Sequence, residues 1–118
     1  MVGRRAAGWS GRERTREHFR RIGLPGDEAC IRLVTTSGEV TAYTVQYEAW
    51  IEGSHRPVVR YDSAHGQPHL DILGWDGNVD EKIWLAPEPL AAALNTAVAH
   101  LDAHWARLRE EFVNRRPR

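Results

Sequence analysis

The chain of 118 residues has one cysteine, Cys30, one methionine, one lysine and no long apolar run. A single thiol excludes an intrachain disulfide and any multi-thiolate zinc site. Cys30 precedes Ile31, Leu33 and Val34, so a small buried thiol is expected there. No stretch approaches the ~20 apolar residues of a membrane span, and the N-terminus lacks the apolar segment of a signal peptide. A cytoplasmic protein without membrane contact is the expectation. Internal repeats and low-complexity tracts are also absent, and so is net charge, with 16 basic and 16 acidic residues.

That neutrality hides an uneven distribution. Residues 1–21 carry seven Arg against two Glu, and residues 107–118 carry five Arg against two Glu. The stretch between holds three Arg and one Lys against twelve carboxylates. Basic ends of this kind suit phosphate contacts, an acidic partner or solvated surfaces. A hydrophobic fraction of 42%, with five Trp, three Tyr and two Phe, suffices for one core, so a single domain over 1–118 is expected, with 1–9 as a flexible terminus.

The "SGRE" at Ser10–Glu13 fits a capping box and predicts a short helix over about 11–22, held by Phe19 and Ile22. Gly23 and Pro25 end it. From there the pattern is strand-like. Residues 29–36 are rich in β-branched types, and "EVTAYTVQYEAWIEG" alternates Tyr43, Val45, Tyr47, Ala49 and Ile51 against polar neighbours. Further strands are predicted at "RPVVRYD", "HLDILGW" and "VDEKIWL", separated by Gly-containing turns. After Pro87, Leu94, Val98, Leu101, Trp105, Leu108 and Phe112 recur at helical spacing. The fold class is therefore α+β: an antiparallel meander of four or five strands, a long C-terminal helix over 87–114 on one face, and a short N-terminal helix.

Strand parity singles out one hairpin. Val59 and Tyr61 share one side and Arg60 and Asp62 the other; Leu70 and Ile72 share one side and His69 and Asp71 the other. If the apolar pairs face the helix, Arg60, Asp62, His69 and Asp71 converge on the uncovered face, with His65 in the loop. Imidazoles move protons near neutral pH and a guanidinium holds phosphate oxygens. Metal-independent cleavage of RNA at the 2′-hydroxyl needs such a set: His65 and His69 as acid and base, Arg60 as phosphate clamp, Asp62 or Asp71 to orient a histidine. No cofactor is required. The two histidines and two aspartates are also ordinary ligands for a divalent ion, though their spacing matches no ligand signature. The plain alternative is the wet face of a one-layer sheet, with Arg60 ion-paired to Asp62 or Asp71. His100 and His104, one turn apart, read as flanking or interface histidines.

At "RYDSAHGQPH" the chain resembles TumE-like small proteins, the toxin half of certain bacterial type II toxin–antitoxin pairs. The matching positions are Arg60, Tyr61 and Asp62 at a strand end, His65, and Pro68-His69 entering the next strand. The resemblance implies RNA-directed or growth-inhibiting activity, with an antitoxin protein and RNA as partners. The alternative function is a non-catalytic interaction domain that uses Trp105, Leu108 and the Arg-rich ends to dimerise or hold a partner.

Overall fold

In a computed structural model, which describes residues 12–118, six strands form one antiparallel sheet in the order of the sequence. They are β1 (Glu13–Arg21), β2 (Glu28–Thr36), β3 (Glu39–Ile51), β4 (Ser54–Asp62), β5 (His69–Leu73) and β6 (Val79–Trp84); a single long helix, α1 (Leu90–Asn114), follows. The α+β meander and the C-terminal helix are as the pattern predicted. The strand count is six rather than four or five.

The extra strand replaces the predicted N-terminal helix. Glu13 lies in β1 and Ser10, the proposed cap, falls outside the described residues, as does the terminus 1–9. The reason is visible in the charges. Arg12, Arg14, Arg16, His18 and Arg20 alternate with Glu13, Thr15, Glu17, Phe19 and Arg21, a period of two that puts one set on each side of a strand. A helix over the same residues would have had only Phe19 and Ile22 to bury. As a strand, the segment instead gains a backbone ladder to β2, from Glu13 opposite Thr36 to Arg21 opposite Glu28.

The core lies between α1 and one sheet face. Ala29 and Ile31 of β2, Tyr43, Val45, Tyr47 and Ala49 of β3, and Val59 and Tyr61 of β4 are buried there. Against them α1 sets Ala93, Ala97, Leu101, Leu108 and Phe112, with Leu94, Val98 and Trp105 packed at the margin. The helical stripe is therefore occupied by the sheet, and Leu108 is in the core rather than at a dimer seam. The opposite face carries the alternate residues in rows that run across the strands: Phe19, Cys30, Gln46, Arg60, Asp71 and Lys82 stand opposite one another in sequence. Cys30 is thus half-buried on the outer face, not in the core. Burial and the carboxylates of Glu17, Glu48 and Glu28 push its pKa up, which keeps it a thiol of low reactivity.

One polar knot crosses the core. Asp27, at the entry to β2, accepts from Tyr47 Oη at 2.6 Å, from the Trp50 amide at 2.8 Å, from the Leu24 amide at 3.1 Å and from Arg109 Nε at 2.9 Å. Burial alone would raise its pKa; the Arg109, Tyr47, Trp50 and Leu24 hydrogen bonds outweigh it and bring the carboxyl below its ordinary value. Gly23 gives the knot its room: its φ is +85° and a Cβ there would lie 2.7 Å from Asp27 Oδ2.

Candidate nucleic-acid interface

The β4–β5 hairpin holds Arg60, Asp62, His69 and Asp71 on one face, in the register that parity implies. Arg60 stands opposite Asp71, and Asp62 opposite His69. Proximity does not make an open site. His69 is 1% exposed and Asp71 4%. Trp84, on β6 directly opposite His69, packs edge-on against the imidazole with ring centroids 5.2 Å apart. His69 Nδ1 lies 3.2 Å from the Gln67 carbonyl, and Nε2 lies 3.6 Å from Asp71 Oδ2. Lys82 Nζ stands 3.1 Å from Asp71 Oδ1, an ion pair outside the angular range of a hydrogen bond.

Asp62 and Arg60 have structural tasks, while the His65 side chain lies outside the described residues. Asp62 Oδ1 accepts the Ala64 amide at 2.8 Å, forming the turn that starts the 3-10 segment Ala64–Gly66, in which the His65 backbone lies. Arg60 donates from Nε to Gln46 Oε1 at 3.0 Å instead of pairing with an aspartate. Reasoning by parity missed Trp84 and Lys82 because they come from β6, two strands away from Arg60. Among the described residues, metal-ligand types converge not here but at Glu28, Glu48 and His55.

His100 and His104 face the sheet margin. Their ring centroids are 4.4 Å apart, and Tyr61 Oη is 2.5 Å from His100 Nδ1. Burial pushes the Tyr61 pKa well up, so its hydroxyl stays protonated and is the donor. Burial, then His104 and Arg107, lower the His100 pKa, which keeps that ring neutral at neutral pH and able to accept. The pair ties α1 to β4.

The most arginine-rich strand is β1. Every residue of the strand is exposed. Arg14, Arg16, His18 and Arg20 share the face on which α1 lies, as partners of Thr35, Leu33, Ile31 and Ala29. Arg20 is ion-paired to Asp102 of the helix. Beyond the reach of α1, Arg12, Arg14 and Arg16 line an open groove of about 550 Å³ with Leu33, Thr35, Ser37 and Gly38. Among the described residues no carboxylate pairs with Arg14 or Arg16. Side chains two residues apart on a strand are about 6.8 Å apart, commensurate with successive phosphates along one nucleic-acid strand. The signal for this surface was present in the sequence as alternating charge.

The fold and this surface define an open six-stranded antiparallel sheet, covered on one side by a single helix and bordered by an arginine-bearing edge strand. The chain belongs to the DUF7718 family, a domain of unknown function whose family model matches residues 13–117. No curated protein and no solved structure matches. No helix among the described residues is long and apolar enough to cross a membrane.

Proposed function

We propose that this protein binds single-stranded RNA through the arginine face of β1, as a binding domain rather than a nuclease. The observation that carries the reading is the row Arg12, Arg14 and Arg16 along an open groove, with no carboxylate neutralising Arg14 or Arg16. Guanidinium groups in a row hold consecutive phosphates through forked hydrogen bonds, and a single-sign groove concentrates polyanions. The resemblance of "RYDSAHGQPH" to toxin proteins favours RNA among single strands, and an RNA partner implies a cytoplasmic site of action. Cleavage at the β4–β5 hairpin would require Trp84 to leave His69, since a buried imidazole reaches no 2′-hydroxyl.

The test is fluorescence anisotropy with a short labelled oligouridylate at low salt. Arg14→Glu with Arg16→Glu should weaken binding at least about tenfold, because two phosphate contacts become repulsions. His69→Ala should leave RNA affinity unchanged. Absence of binding by the native protein, or binding indifferent to the charge reversal, would end the proposal. RNA shortened in a gel by the native protein and left intact by His69→Ala would instead restore the catalytic reading.

A further inference from the structure

We propose that Glu28, Glu48 and His55 form a site for one zinc ion on the sheet face turned away from α1. Each offers a ligand atom, and these atoms lie within 4.8 Å of one another. The site is independent of the arginine groove.

Two strand-level facts bring the residues together. Glu28 and Glu48 stand directly opposite each other on β2 and β3. Like charges in that position repel, and Arg21, opposite Glu28 on β1, can offset only one of the two. His55 joins them through a β-bulge. Tyr47 pairs with Val59 but Glu48 pairs with Pro57, so Val58 is an extra residue and Trp50 faces His55. Without the bulge, His55 would share the helix side with Val59 and Tyr61.

The surroundings already orient the ligands. Trp50 packs edge-on against the His55 ring with centroids 4.9 Å apart. His55 Nε2 lies 3.9 Å from Glu28 Oε1 and 3.0 Å from the Gly26 carbonyl oxygen. Glu48 Oε2 is held by Gln46 Nε2 at 2.6 Å, and Gln46 in turn by Arg60 Nε at 3.0 Å, which leaves Oε1 of Glu48 for an ion. Such supporting hydrogen bonds are how ligating carboxylates are commonly fixed. Arg60 thereby acquires a role that its place on the β4–β5 hairpin did not suggest.

One imidazole and two carboxylates favour zinc over magnesium or calcium, which prefer all-oxygen sets. Two negative charges balance the ion, and three protein ligands leave a fourth position for water. Metal–ligand bonds of about 2.0–2.2 Å bring ligand atoms to about 3.5 Å from each other. The side chains close by rotation, and His55 exchanges its Gly26 contact for the metal.

The experiment is calorimetric titration of chelator-treated protein with zinc chloride, repeated with cobalt(II) to read the visible absorption of a tetrahedral site. One ion per chain is expected. His55→Ala and Glu48→Gln should each weaken binding at least about tenfold. His100→Ala with His104→Ala, which removes the close histidine pair of the helix, should leave it unchanged. Circular dichroism verifies that each variant is folded. No zinc uptake by the native protein overturns the proposal, as does uptake that survives both His55→Ala and Glu48→Gln, or that disappears with the helix histidines.

Discussion

At the scale of single residues, burial decides which polar groups serve the fold. Asp27 is the clearest case. Its carboxylate is fully enclosed and takes hydrogen bonds from two backbone amides, a tyrosine and an arginine. Asp27→Asn leaves the Arg109 charge without its partner and should cost about 2–4 kcal/mol. The sign of its pH dependence follows from the depressed pKa. Native and unfolded carboxyls are both ionised well above about pH 4. As pH falls below that value, the unfolded chain takes up the proton first and stability declines. Urea midpoints measured from pH 6 to pH 3 should therefore fall at the acid end in the native protein and show a smaller fall in Asp27→Asn. Equal slopes would remove Asp27 from the account. His69 and Asp71 are charged or polar yet nearly inaccessible because Trp84 and Lys82 cover them. No inspection of residues 56–73 alone shows that cover.

At the scale of elements, the helix is held by what it sets against the sheet, from Ala93 in its first turn to Phe112 in its last turns. Phe112 is fully buried, its ring stacked on Trp75 at 4.7 Å between centroids. Trp75 Nε1 also donates to the Phe112 carbonyl at 2.7 Å, which satisfies an acceptor near the helix end. Phe112→Ala should destabilise the protein by about 3–5 kcal/mol, leaving a void that Trp75 fills only in part. Urea denaturation reads the loss; a change under about 1 kcal/mol would mean that the end of α1 is not part of the cooperative core. The helix was legible because six apolar residues repeat at its period, and β3 because its alternation is long. β1 was misread from a four-residue capping pattern while nine residues of alternating charge pointed to a strand. A local motif sets the end of a helix, but periodicity over the whole segment decides whether there is a helix to end.

At the scale of the whole molecule, zero net charge coexists with a strongly basic edge. Long-range attraction to RNA is then weak, and binding depends on the few guanidinium groups that reach phosphates. With two such contacts, from Arg14 and Arg16, the slope of log affinity against log salt for a single strand should be about −1.4. Anisotropy titrations at several salt concentrations measure it. A slope near zero would show that phosphates are not the contact. The acidic middle of the chain, which the composition showed as a block, is dispersed by the fold: Asp27 goes into the core, Asp102 to Arg20, Asp71 to Lys82, and Glu28 with Glu48 to the outer face.

The amino-acid pattern by itself determined the α+β class, the C-terminal helix, the strands after residue 28 and the shared face of Arg60, Asp62, His69 and Asp71. These follow from periodicity, which is a property of neighbouring residues. Only tertiary structure decided that β6 covers the predicted site, that β1 presents its arginines in a groove, and that His55 lies beside Glu48. Cover by a distant strand depends on the order of the sheet, and the place of His55 depends on one extra residue in the β4 ladder. Spacing along the chain records neither, because both arise from pairing between strands.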